Sequence, residues 1–130
     1  MIITSNLLDI ISAQAKESPR LRMNYNLHET LGSKVQRLFN AMEPGTVIPV
    51  QRHRNTAETI MLVRGKIKVE FYDDNKNMID SAILSHESGN YGVHIPARVW
   101  HWVEILEPNT VMFEVKEGPY EPLGKEDIME

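Results

Sequence analysis

At 130 residues and 14.9 kDa, with 42% apolar and 25% charged residues, the chain has the size and composition of one globular domain. Fourteen Lys and Arg against eighteen Asp and Glu leave a net charge of −4, which argues against a nucleic-acid partner, and the lack of cysteine excludes disulfides, thiolate metal ligands and cysteine nucleophiles. The opening MIITSNLLDI has no basic residue and is interrupted by Asp9, and no run nears the ~20 apolar residues of a membrane span. Neither a signal peptide nor a membrane partner is expected, and the cytoplasm is the expected compartment.

In chain order, residues 5–17 are predicted as the one helix. Ser5 or Asn6 is expected to cap it, Leu7, Leu8, Ile10 and Ile11 to form its apolar stripe, and Pro19 to stop it. Next, Leu21, Met23, Tyr25 and Leu27 alternate with Arg22, Asn24, Asn26 and His28, the period of two of a half-buried strand. Short strands are predicted at 35–42, 46–54, 58–64, 66–72, 78–84, 92–95, 99–105 and 110–116. They are separated by turn signals such as Glu-Pro-Gly at 43–45 and Glu-Pro-Asn at 107–109. Short strands at this spacing predict an all-β sandwich or jelly-roll barrel. The expected layout is an N-terminal helix over 1–18, a barrel over 19–120 and a polar surface tail over 121–130.

The chemistry concentrates in GTVIPVQRHRNTAETIMLVRG at 45–65. Gln51 and His53 are two apart, so on a strand both project from one face, and a turn at 54–57 can return Glu58 beside them. An imidazole, a carboxylate and an amide oxygen on one inward face make a shell for a divalent metal. In PARVWHW at 96–102, His101 shares a face with Val99, Val103 and Ile105. A group of that polarity among valines needs a partner, since burying it unpaired is costly.

These segments resemble the cupin superfamily. Its first motif is Gly, five residues, His-x-His, three or four residues, Glu, six residues, Gly; residues 45–65 follow that spacing with Gln51 in the first histidine position. The second motif is matched at Pro96 and His101, while Asn90, Arg98 and Ile105 replace the usual Gly, Gly and Asn. Over residues 18–120 the segments RLRMNYNLH, PGTVIPVQRH, IPARVWH and EVKEGPY also look like the WbuC family of small cupin metalloproteins. Members of that family are often associated with surface-polysaccharide gene clusters, and their reaction is not established. The resemblance implies a single-domain cupin double-stranded β-helix with a metal among Gln51, His53, Glu58 and His101.

Three consequences of Gln51 remain open. His53, Glu58 and His101 suffice as a two-histidine, one-carboxylate facial set suited to iron(II). Alternatively Gln51 is a fourth ligand, because Gln51-Arg52-His53 resembles the Gln-x-His pair of zinc phosphomannose isomerases. In the third reading metal binding has lapsed and a polar pocket remains. Zinc, iron, nickel and manganese are all compatible with these residues.

Other polar residues divide between surface and site. His86 lies in a polar loop, and His94, alternating with Val93 and Ile95, reads as structural. By composition the Arg22, Asn24, Asn26 and His28 face is a solvated edge; the family resemblance makes it a pocket wall, with Arg22 and Asn26 binding substrate and His28 moving protons. Glu114 and Lys116 share a face with Met112, either as an exposed ion pair or, if the strand lines the barrel, as a general base and an anion-binding group. Tyr120 is expected to bind substrate at the pocket mouth. Trp100 and Trp102, opposite His101, are expected to form a homodimer face. The leading expectation is a metal-dependent enzyme taking a small-molecule ligand such as a sugar or sugar nucleotide. A non-enzymatic sugar-binding cupin and an iron-dependent dioxygenase are the alternatives.

Overall fold

The structure, a computed structural model, describes residues 1–130. Helix α1 spans Ser5–Glu17 as its apolar spacing predicts, but Thr4 is the cap, its hydroxyl accepting from the Leu7 amide at 3.2 Å. Leu8, Ile11 and Ala15 are buried while Ile10 stays half exposed, so the packed stripe is narrower than four neighbouring apolar residues suggest.

Eight strands follow: β1 (Arg22–Asn26), β2 (Val35–Met42), β3 (Glu58–Arg64), β4 (Ile67–Tyr72), β5 (Met78–Leu84), β6 (Gly92–Ile95), β7 (Trp100–Ile105) and β8 (Thr110–Glu117). They form two antiparallel sheets, one ordered β1-β2-β8-β3-β6 and the other β5-β4-β7. The main core lies between the sheets, where Ile60, Leu62 and Met112 of the larger meet Ile67, Val69 and Val103 of the smaller. Each such side chain contributes about 1.5–3 kcal/mol by leaving water. The outer face of β2 and β8 carries Phe39, Ala41 and Val111, which α1 covers with Leu8, Ile11 and Ala15. Met23 and Leu27 pack there too, while Arg22 and Asn24 of the opposite parity turn to the barrel cavity. Tyr25, of the parity of Met23, is exposed.

Two glycines bracket the segment that builds the site. Gly45 turns the chain after β2 with φ +97°, and Gly65 turns it after β3 with φ +90°. At Gly65 a Cβ would also collide with Thr110, so both backbone and space demand glycine there.

Residues 46–54 do not form the predicted strand. Gln51 makes one isolated bridge to His101 on one side and one to Ile128 on the other. Pro49, which offers no N–H, lies two residues from that bridge, and no continuous ladder forms. The expected surface tail supplies part of this pairing. After the 3₁₀ turn Lys125–Asp127, the Met129 amide donates to the Val50 carbonyl at 2.8 Å and the Arg52 amide to the Asp127 carbonyl at 3.0 Å.

Nor do the tryptophans form an open dimer face. Trp100 is buried, with its indole N–H donating to Asp74 at 3.0 Å and the Arg52 guanidinium 4.4 Å above its ring. Trp102 donates to the Ile48 carbonyl at 2.9 Å. Ile48 and Arg52 of the 46–54 segment thus contact the two indoles within the same chain. No helix is long and apolar enough to cross a membrane.

Candidate metal centre

Backbone pairing between Gln51 and His101, donating in both directions at 3.0 and 2.9 Å, holds the loop against β7. The Arg98 amide donates to the His53 carbonyl at 2.7 Å and fixes the next part of the same loop. Glu58 opens β3 and pairs with Lys116 of β8. His53, Glu58 and His101 thereby converge, with one candidate ligand atom from each lying within 4.8 Å of the others.

The polarity of this cluster is unbalanced. His101 places Nδ1 at 3.0 Å from the Val99 carbonyl, which can only accept, so Nδ1 carries the proton. In the neutral ring Nε2 is then a bare lone pair. It is buried without a hydrogen-bond partner, 3.3 Å from Glu58 Oε1. His53 Nε2 lies 3.7 Å from Glu58 Oε2. Burial lowers the His53 pKa against the opposing Glu58 charge, favouring a neutral imidazole. Burial by itself would push Glu58 up; positive charge beside it, as a protonated His101 that hydrogen-bonds the carboxylate in place of a cation and as the charges of His53 and Lys116, outweighs burial and holds the carboxyl below its usual value. Acceptors facing one another in a buried space need a proton or a cation between them, and two imidazoles with a carboxylate fit a divalent cation. The Val99 carbonyl orients His101 as an outer hydrogen bond typically orients a metal-bound histidine.

This cluster lines a cavity of about 220 Å³ that also receives Gln51, Arg22, Asn24, Asn40, Glu114 and Lys116. Its apolar floor is the core itself, through Met42, Ile60, Val103 and Met112. Burial and the nearby Glu58 charge raise the Glu114 pKa from 4.5 to about 7, over the opposing pull of Lys116, Asn40 and His101. Arg22 lies below its usual value, mainly through burial and Arg20, with Glu114 opposing. Tyr120, Glu121 and Leu123 form the cavity's outer edge and also line an adjoining cleft of about 290 Å³. Tyr120 is half exposed at that edge, 5.7 Å from Lys116 Nζ.

Two predicted site residues lie elsewhere. Asn26 has the parity of Arg22 and Asn24 but is exposed at the end of edge strand β1. His28 lies beyond that strand and does not line the cavity. Its Nδ1 is engaged by the Arg37 amide at 3.1 Å, and its Nε2 is buried without a partner. Asn26 is the last residue of β1 and His28 lies two residues past it, so the wall that Arg22 and Asn24 form does not reach them. His86 reaches the Leu62 carbonyl at 3.4 Å and His94 lies 2.9 Å from the Thr59 hydroxyl, in keeping with their structural reading.

Sequence reasoning missed Asn40 and Asp127. Asn40 was legible in the alternation of Leu38, Asn40 and Met42 with Phe39 and Ala41, which sends the amide inward. Asp127 carried no local signal. It reaches back to Arg52 Nε at 3.0 Å and Arg54 Nη2 at 3.2 Å, bracing the residues on either side of His53.

A family model described as "Domain of unknown function (DUF6016)" matches residues 3–84. The chain belongs to that family. No curated protein matches it. Among solved structures it is similar to KdgF from Halomonas sp., with 16% identity, TM-score 0.61, and 80% of this chain and 84% of that one covered. It is also similar to the capsular polysaccharide assembling protein CapF from Staphylococcus aureus, with 21% identity and TM-score 0.62 over 76% of this chain and 27% of that one. A cupin 2 domain-containing protein from Halorhodospira halophila matches with 18% identity and TM-score 0.58 over 74% of this chain and 63% of that one. At these identities the likeness concerns the fold, and this DUF6016 member has the two-sheet jelly-roll fold of those cupin structures.

Proposed function

We propose that the protein is a metal-dependent cupin enzyme acting on a small, polar, sugar-like metabolite. The observation that carries this reading is the His101 Nε2 lone pair, buried and unpartnered 3.3 Å from the Glu58 carboxylate and beside His53. His53, Glu58 and His101 would hold the ion, and Gln51, which lines the same cavity, is the candidate fourth ligand. A divalent ion there supplies Lewis acidity toward a substrate oxygen. Glu114, titrating near 7, is suited to take and return a proton near neutral pH. Arg22 and Lys116 orient the substrate, and Tyr120 with the returning C-terminal segment limits water at the mouth.

The resemblance to WbuC-family proteins and the structural likeness to a capsular polysaccharide assembling protein support a carbohydrate substrate. Gln51 favours a second reading, a ligand-binding cupin with no turnover, because an amide oxygen is a weaker ligand than imidazole for borderline metals.

Metal titration and elemental analysis of the wild type, His101→Ala and Gln51→His separate the two readings. Near-stoichiometric metal in the wild type and its loss in His101→Ala support the enzyme. Metal in Gln51→His alone would transfer the assignment to the binding module.

A further inference from the structure

The cavity described above carries two cations, Arg22 and Lys116, that none of its own carboxylates pairs. Arg22 makes no ion pair with any acidic residue and its side chain no hydrogen bond, although it is partly buried along the wall. Lys116 likewise has no carboxylate within salt-bridge distance, although Glu58 and Glu114 line the same space. With a divalent cation present, Arg22, Lys116 and the ion exceed the charges of Glu58 and mouth residue Glu121, and ionisation of Glu114 still leaves an excess. An enclosed surplus of positive charge selects an anion.

A second observation narrows the ligand. Asn40 Oδ1 is buried, lines the cavity wall and has no donor. Asn40 pairs directly with Asn24, two residues along β1 from Arg22, so guanidinium and amide oxygen address neighbouring parts of one ligand. A guanidinium fork suits a planar carboxylate, and an orphaned amide oxygen suits a hydroxyl. No glycine, serine or threonine lines the cavity, so it lacks the glycine-rich loop that characteristically cradles phosphate. Its volume of about 220 Å³ falls below the ~300–1,000 Å³ usual for ligand pockets, which suits a small ligand.

We infer that the ligand is a small hydroxy-carboxylate whose carboxylate lies against Arg22 and whose hydroxyl donates to Asn40. This rests on the proposed function for the metal's place in the cavity, and it deepens that reading from a polar metabolite to an acid.

The test uses calorimetric titration of the full chain, zinc-loaded and chelator-treated, with lactate, glycerate and gluconate. The matching amides, propionate and inorganic phosphate are the comparison ligands. Metal content is read on the same samples. At least one acid is expected to bind about tenfold more tightly than its amide, the scale of a charge-assisted pair. That preference should vanish in Arg22→Gln and persist, reduced, in Arg22→Lys, while Asn40→Ala should erase the advantage of lactate over propionate. Equal binding of acids and amides, survival of the preference in Arg22→Gln, tighter binding of phosphate than of every acid, or no binding of any acid would each overturn the inference. An acid preference that depends on Arg22 in a protein that takes up no metal would overturn the metal reading and leave this one standing.

Discussion

One short segment builds two clusters of opposite character. Arg52 and Arg54 meet Asp127 from the chain's C-terminal end, so cations face an anion at 3.0 and 3.2 Å. The intervening His53 meets Glu58 and His101, where acceptors face acceptors. The arginine cluster is satisfied by the protein's own charges and acts as a brace. The histidine cluster is incomplete by itself, which marks it as the place where something from outside belongs.

The strongest way to break this contrast is His101→Ala. It should abolish metal uptake while the strand signal in circular dichroism persists, because the ring's hydrogen bond to Val99 is local to β7. Metal should in turn raise the thermal midpoint of the wild type only, by an amount equivalent to about 4 kcal/mol at a thousandfold excess over Kd. Unchanged uptake in the variant would show that the convergence of acceptors has no such meaning.

Asp127→Asn probes the other side. It should lower the thermal midpoint by removing the counter-charge to Arg52 and Arg54, and weaken metal affinity less than His101→Ala does, through looser placement of His53. A drop in affinity matching that of His101→Ala would erase the distinction between brace and ligand.

Glu114 sharpens the contrast through pH. Its folded pKa of about 7 exceeds the ordinary 4.5, so the folded protein binds the more protons between those values. The metal-free protein should therefore be steadied by Glu114 below the ordinary value and lose that stability as pH rises toward 7. Glu114→Gln should flatten this part of a thermal-midpoint profile. Thr4→Ala lies far from both clusters. It should cost about 1 kcal/mol in chemical denaturation through the lost cap, with metal binding unchanged.

Most of the β architecture was readable because side chains on a strand alternate with a fixed period, and Val35–Met42, Glu58–Arg64 and Met78–Leu84 appear where that pattern places them. The spacing from Gly45 to Gly65 likewise singled out His53 and Glu58, although the loop that carries His53 is held by β7 and the C-terminal segment and makes no hairpin with β3. The same logic failed at 46–54, where the pairing partners are single residues of β7 and the C-terminal segment. It fell short again at Trp100 and Trp102, which contact the 46–54 segment and Asp74, and at His28, where a face continued in sequence after the strand had ended at Asn26.

Local order and the candidate ligand residues were therefore legible in the amino-acid sequence, because each is marked by a short local pattern around it. The raised pKa of Glu114, the lone pair left on His101 and the brace from Asp127 were decided only by the tertiary structure. Each depends on which distant strand excludes water or supplies a charge, and a linear pattern does not encode that proximity.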